Sequence, residues 1–482
     1  MSQFLTGIDS KIYDLTKYDV LLSSYNVCIV FFYANDNLTD SFMPSQELED
    51  AYYKTVLQFP LLAGQIKKKG GGTLQVVVDK SDLNLPGYRE SQSDTHFSDI
   101  KSADFNPTAW PSDLAPVGNT AYPDRNTGVI KLLNTHVVRL KDNSGIIISF
   151  NTNHVATDAF GSLEFFNQWA AETRALVTGV HAEKVSYCFD REAIQKHLPS
   201  KRLPLDDTTF RAYTIKSRIA DWLLGLSPNS RAKLLNYLGN RNPTRGHLFR
   251  ISREKFDHLH SRVLECMPPG VRLTSNDLLS AIAYKVHGQA KLDADAANIG
   301  WLGRLTNRSV NAKGEHGLSV ACDLRGLLGM SDTNYIGNPL FTAIVNNQMS
   351  HAEQPITPQT LAEIGAQVRR SLSNVSPPFI GSFIDFVDSD SFKAGSLIAS
   401  GMKSALITLT SNITRAKLYH ADFGSGVQAF STVCPNYRAV QYIILPAPPP
   451  SKDILVNFTA SASEMEFILK NEFWRDITTL VY

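Results

Sequence analysis

The sequence predicts a mixed α/β protein with more than one domain. At 482 residues the chain exceeds what one hydrophobic core usually serves, so two domains, or three, are expected. Helix-type and strand-type hydrophobic periods alternate along the chain. No internal repeat or low-complexity tract breaks that alternation, which points to layers of helix packed on sheet.

Taken in order, residues 27–33 are a continuous apolar run rich in Val, Ile and Phe, as a buried strand would be. Residues 45–56 have helical spacing after Pro44 and stop at Phe59-Pro60. A hairpin is expected next. Lys67, Lys68 and Lys69, followed by Gly70, Gly71 and Gly72, read as its exposed edge rather than a phosphate patch. Residues 129–141 and 145–152 are strand-like, and Asp142-Asn143-Ser144-Gly145 between them suits a tight turn.

In the second of those strands Ile146, Ile148, Phe150, Thr152 and His154 share one face by the two-residue period. Beyond it Phe160, Leu163, Phe166 and Trp169 or Ala170 recur at helical spacing. Residues 154–158 are therefore a strand-to-helix connection, with Asp158 near the helix N-terminus, where a carboxylate is favoured. Between residues 196 and 245 the pattern loosens, with Pro199, Pro204, Pro228 and Pro243. The expected organisation is an N-terminal domain over 1–195, a crossover over 196–245 and a C-terminal domain over 246–482. The last of these opens with a strand and a helix from His247. It closes with a strand over 440–445, a Pro-rich turn, a strand over 454–458 and a helix containing Met465, Ile468 and Leu469.

Lys plus Arg (47) and Asp plus Glu (46) nearly cancel, so no field exists to steer a polyanion, and nucleic acid is not an expected partner. Five scattered cysteines, Cys28, Cys188, Cys266, Cys322 and Cys434, include no Cys-x-x-Cys pair, which favours free thiols in a reducing compartment over a disulfide framework or zinc site. The first residues reach Asp9 and Lys11 without the apolar stretch of a signal peptide. The longest apolar run, 27–34, is too short to cross a bilayer. The expectation is a soluble, cytoplasmic monomer with no membrane span.

Two short segments carry chemistry. His154 and Asp158 form a His-x-x-x-Asp spacing; with twelve histidines such a spacing arises by accident roughly half a time in a chain of this length. Histidine suits a general base, because its unperturbed pKa of about 6.5 leaves it mostly neutral at physiological pH. A hydrogen-bonded loop histidine and an ordinary helix cap are the competing readings of His154 and Asp158. Asp422-Phe423-Gly424-Ser425-Gly426 is rarer: four fixed residues of this kind arise by accident in about one such chain in a few hundred.

The Asp-Phe-Gly triplet is not that of a kinase, for no Gly-rich loop with a following Lys and no His-Arg-Asp segment accompanies it. Gly424-Ser425-Gly426 lacks the five-residue frame of a nucleophile elbow, and its plain reading is a two-glycine turn. His258 and His260 lie on different faces of helical sequence and make a poor metal pair. No P-loop, dinucleotide fingerprint or His-Glu-x-x-His is present, and no metal is expected.

With these segments in hand the chain resembles the BAHD-type acyl-CoA-dependent acyltransferases, and more loosely their fungal secondary-metabolite branch. Leu15-Thr16-Lys17-Tyr18-Asp19 looks like the family's Leu-Ser-x-x-Asp, and Pro60-Leu61-Leu62-Ala63-Gly64 like its Pro-Leu-Ala-Gly-Arg. Thr274-Ser275-Asn276-Asp277-Leu278-Leu279-Ser280-Ala281, Asp323-Leu324-Arg325 and Tyr335-Ile336-Gly337-Asn338 are similar to further family pieces, all in the family's order.

The resemblance implies two pseudo-symmetric chloramphenicol-acetyltransferase-like α/β domains, joined by a crossover and enclosing a central channel. In that channel His154 would be the general base, with acyl-CoA, acetyl-CoA above all, entering from one mouth and a small-molecule acceptor from the other. No bound cofactor is implied; acyl-CoA is the co-substrate. Asp158 would orient the loop by pairing with Arg325. Asp422, Gly424 and Gly426 would be structural.

Departures from the family pattern are Ala159 in place of Gly after the motif Asp, and Ser425 in place of Trp. Thr410-Ser411-Asn412 looks like the family's Thr-Ser-Trp, with a spacing to Asp422 one residue off, and makes Thr410 the candidate oxyanion donor. The implied reaction is acyl transfer to a hydroxyl, N-acylation being the variant, with no acyl-enzyme. Two other readings remain open. One is a condensation-like enzyme fed by a carrier protein, although Asn153 stands where such domains have a first histidine; the other is a repurposed, non-catalytic metabolite binder.

Overall fold

A computed structural model describes residues 7–22, 25–69, 73–114, 129–204, 222, 243–268, 270–298, 314–389, 404–435 and 440–482. Most of the expected crossover, residues 205–221 and 223–242, lies outside them.

Three sheets organise the described chain. A five-stranded sheet has the order β12-β2-β7-β6-β5, made by Val427–Val433 (β12), Asn26–Ala34 (β2), Gly145–Asn153 (β7), Leu133–Arg139 (β6) and Gly87–Gln92 (β5). A seven-stranded sheet runs β10-β9-β11-β13-β14-β8-β15. Its strands are Leu340–Gln348 (β10), Glu315–Asp323 (β9), Leu406–Asn412 (β11), Tyr442–Pro446 (β13), Ile454–Ser461 (β14), Thr244–Ile251 (β8) and Thr478–Leu480 (β15). A small sheet pairs Lys11–Asp14 (β1) and Gln65–Lys69 (β3) with Thr73–Val78 (β4) between them. The helices that bear on function are Lys17–Leu22 (α1), Ser45–Val56 (α2), Ala159–Thr178 (α3), Ser275–Ala297 (α4) and Pro377–Asp388 (α5). The mixed α/β class with two sheet-rich halves is the one expected.

The apolar run of β2 is buried on both faces because each face is covered by rings. Phe31 stacks on Phe166 of α3 at 3.7 Å between ring centroids, while the next residue, Phe32, points the other way and meets Phe105, Trp110 and Phe430. Neighbouring β7 is buried throughout, on both faces. Its turn from β6 is built on Asp142 and Asn143, both with φ of 53°, a conformation that Asn and Asp tolerate better than other side chains.

One strand leaves the half in which the sequence lies. β12 pairs antiparallel with β2, Val433 opposite Ile29 and Phe430 opposite Phe32, so a C-terminal segment completes the N-terminal sheet. The chain end is tied to it, since the hydroxyls of Tyr482 and Thr432 lie 2.8 Å apart. These ties leave His154, at the end of β7, close to where the two large sheets approach each other.

Candidate active site

β7 stops at Asn153 because the chain turns there. Ala156 donates its N–H to the Asn153 carbonyl at 3.0 Å, and the Asn153 side chain accepts from Val155 N at 2.8 Å. The last tie to the sheet is the N–H of His154 on the carbonyl of Tyr25, at 3.0 Å. Asp158 then caps α3, its Oδ1 accepting from the N–H of Gly161 at 3.0 Å. Gly161 has little room for anything larger: a Cβ there would sit 2.0 Å from Thr157 Oγ1.

The carboxylate of Asp158 does not face the imidazole. Arg325 takes it in a forked pair, Nη1 to Oδ2 at 2.7 Å and Nη2 to Oδ1 at 3.1 Å. The same guanidinium holds Asp323 at 3.0 Å and the Tyr335 carbonyl at 3.1 Å. Burial alone would depress the Arg325 pKa, but Asp158 and Asp323 outweigh it and raise the pKa further above its ordinary value.

What fixes the His154 ring is Asn338. Asn338 Nδ2 donates to Asp19 Oδ1 at 2.8 Å and to the His154 carbonyl at 2.8 Å, two groups that can only accept. Its Oδ1 is therefore the atom 3.1 Å from His154 Nδ1, and Nδ1 must carry the proton. Nε2 is left with its lone pair. Burial lowers the His154 pKa below its usual value; nearby Asp158, the bond to Asn338 and Asp19 offset this only in part, so the neutral, basic form is favoured.

Asp19 is held in turn. Its Oδ2 accepts from Thr16 N and Oγ1 at 3.0 and 2.8 Å and lies 3.4 Å from Nε of the buried Arg191. Arg191 also donates to the carbonyls of Ala156 and Ile336, stitching the His154 loop to the loop bearing Asn338. Sequence reasoning missed Asn338 and Arg191 as site residues. The Tyr335-Ile336-Gly337-Asn338 segment carried a signal for the first; nothing around Arg191 did.

His154 lines a cavity of about 210 Å³ with Tyr18, Tyr25, Phe160, Leu340 and Ser411 among its walls. A larger cavity of about 620 Å³ lies behind Asn338 and shares Tyr18 and Leu340 with the first. Thr410, the expected oxyanion donor, does not reach either. Its side chain is buried toward α4, with Oγ1 3.4 Å from Ser280 Oγ and from the Ser319 carbonyl. The alternation of β11 brings Leu409 and Ser411 to the cavity instead.

Residues 8–220 match the model described as the Transferase family. The matched stretch carries His154, and there the chain is similar to this transferase family. Curated protein sequences give no match. The whole chain shares the fold of several solved structures. Fusarium graminearum TRI101 complexed with coenzyme A and T-2 mycotoxin is 15% identical, with 98% of this chain and 100% of that chain covered and a TM-score of 0.70. Vinorine synthase is 17% identical over 95% and 92% of the two chains, TM-score 0.60. The first condensation domain of the calcium-dependent antibiotic synthetase is 12% identical over 98% and 98%, TM-score 0.56.

The Asp422 turn does not line the His154 cavity. Asp422 accepts from the Gly424 N–H at 2.8 Å and pairs with Arg174 on α3 at 2.9 Å. Phe423 is buried against Tyr33, Phe166 and Trp169. Ser425, standing where the family has Trp, accepts the N–H of Met43 at 2.9 Å. Gly424 and Gly426 have φ of 87° and 78°, which requires glycine or strain. The turn thus clamps the helix that Asp158 begins.

Proposed function

We propose that the chain is an acyl-CoA-dependent O-acyltransferase that moves a short acyl group, acetyl above all, to a hydroxyl of a hydrophobic small molecule. The observation that carries this reading is the single tautomer that Asn338 imposes on His154, with a basic Nε2 at a cavity. Nε2 takes the acceptor's hydroxyl proton as that oxygen attacks the thioester carbonyl. The tetrahedral intermediate then collapses, the C–S bond breaks, and the CoA thiolate recovers the proton from the imidazolium. No acyl-enzyme is needed, because the thiolate is already a good leaving group.

Ser411 supplies the oxyanion donor in this reading, in place of Thr410. Asn412 serves less well, since its Nδ2 is engaged by Asn276 at 3.0 Å and its Oδ1 by Thr414. Asp158 and Arg325 act by holding the loop. The walls formed by Leu22, Tyr25, Phe160, Leu340 and Ile413 suit an apolar acceptor. Structures of the same fold were solved with coenzyme A and T-2 mycotoxin, with coenzyme A and deoxynivalenol, and with ethyl coenzyme A, which supports CoA as the donor carrier and a small molecule as the acceptor.

The test is thiol release from acetyl-CoA in the presence of a panel of apolar small-molecule alcohols, with the ester product weighed by mass spectrometry. His154→Ala is expected to lower turnover on the order of 10²–10⁴-fold without loss of the fold. Near-normal turnover of that variant would sink the mechanism, and turnover only with an acyl-carrier protein would sink the CoA donor.

A further inference from the structure

Two of the five cysteines meet where β12 joins β2. The register sets Val433 opposite Ile29, and one step on Cys434 donates its backbone N–H to the Cys28 carbonyl at 3.1 Å. The Cys434 thiol is near enough to help raise the pKa of the Cys28 thiol. Opposed residues of an antiparallel pair have Cα atoms roughly 4.5–5.5 Å apart, inside the range of roughly 4.4–6.8 Å that a disulfide spans without moving the backbone. Cys28 is buried and Cys434 half-buried, so a small oxidant meets Cys434 first. Neither lines the His154 cavity, so the proposed reaction does not account for them.

We infer that Cys28 and Cys434 are a reversible redox pair whose disulfide bolts the C-terminal strand β12 onto the N-terminal sheet. With a peroxide as oxidant the Cys434 thiolate attacks one oxygen, the O–O bond breaks, and hydroxide leaves as water, giving a sulfenic acid. The Cys28 sulfur then attacks the Cys434 sulfur. An S–S bond forms, the S–O bond breaks, and the Cys28 proton departs with the second water. Each sulfur gives up one electron and the peroxide takes both.

The neighbouring Cys434 thiol and burial together hold the Cys28 thiol well above the usual range, which suits a resolving partner and not the first nucleophile. The place of the bond gives it consequence. Cys28 is two residues from Asn26, where β2 begins beside Tyr25, and Tyr25 both accepts from His154 N and lines the cavity. A bridge there fastens the one described strand that crosses from the C-terminal half into the sheet carrying His154.

The test uses the full chain, reduced and then treated with hydrogen peroxide, followed by denaturation, thiol titration and peptide mapping with and without a reductant. Expected are loss of two of the five titratable thiols, a Cys28–Cys434 linked peptide lacking two hydrogen atoms, and a thermal midpoint that rises on oxidation and returns on reduction. In Cys28→Ser the linked peptide should vanish and Cys434 should run on to sulfinic acid. If all five thiols stay titratable, if wild-type Cys434 is overoxidised without the linked peptide, or if the midpoint does not move, the redox lock is overturned.

Discussion

Asp158 faces Arg325 and not His154. Its two oxygens take the two terminal guanidinium nitrogens at 2.7 and 3.1 Å, whereas the imidazole is bonded by Asn338 at 3.1 Å. The His-x-x-x-Asp spacing thus joins a ring at the cavity to a carboxylate held by the scaffold. Both partners of the ion pair are largely buried, with side-chain exposures of 13% for Arg325 and 3% for Asp158. Asp158→Asn leaves a buried cation short of a counter-charge, so about 3–5 kcal/mol of stability should be lost. His154→Ala should cost far less stability. Urea denaturation of the two variants side by side checks this; equal stabilities would mean that the pair is not structural.

Asn338 sets the tautomer, and its loss should appear in kcat. In Asn338→Leu nothing holds the proton on Nδ1, and the ring can present the wrong nitrogen to the cavity. A fall in kcat on the order of 10–10³-fold is expected, with KM for the acyl donor nearly unchanged. A change confined to KM would assign Asn338 to substrate binding.

Neighbouring residues of β11 should behave oppositely. Ser411→Ala removes a hydroxyl from the cavity wall and should lower kcat on the order of 10²-fold at constant stability. Thr410→Ala removes only buried contacts to Ser280 and the Ser319 carbonyl, so kcat should hold while the unfolding midpoint falls. The reverse pattern would restore Thr410 as the donor.

That pair also marks how far the sequence could be read. Strand and helix around His154 were legible, because apolar residues at period two and then at helical spacing can only be buried that way. The face on which Thr410 lies was not: a one-residue slip of register inverts every side chain of a strand, and the offset to Asp422 was the only sign of it. Asn338 lies 184 residues from His154, so no spacing joins them. Nothing in residues 427–433 names their partner, Asn26–Ala34, since pairing depends on tertiary approach rather than local pattern.

Stability should fall as pH drops below neutrality. Burial lowers the pKa of His136, His154 and His316; Arg89 adds to this for the first, and His287 and Lys285 for the last. In the unfolded chain these groups take up protons near the ordinary value of about 6.5, while the folded chain still refuses them. Unfolding then binds protons, and stability declines from about pH 6.5 down to each folded-state pKa, by about 1.4 kcal/mol per pH unit for each proton. Urea midpoints at pH 7.5 and 5.5 measure the slope. His316→Gln should flatten it, and a slope unchanged by that substitution would show that other groups set the acid limit.

Gly426 offers the sharpest separation of fold from chemistry. Its φ of 78° lies where L side chains are strained, and an added Cβ would stand 2.1 Å from Cε2 of Phe42 and 3.0 Å from the Ala34 carbonyl. The ring can swing only by disturbing its buried neighbours, and the carbonyl belongs to the end of β2 and cannot move without the sheet. Strain of this kind costs about 1–3 kcal/mol before any clash is counted. Gly426→Ala should therefore lower the thermal midpoint and the soluble yield. Because Asp422 and Phe423 grip α3 at Arg174, Phe166 and Trp169, none of which lines the His154 cavity, the molecules that do fold should turn over at close to the normal rate. Active-site counting with a tight-binding CoA analogue, set against total protein, separates the two effects. A variant that folds with a normal midpoint but is inactive would move this turn from scaffold to catalytic site.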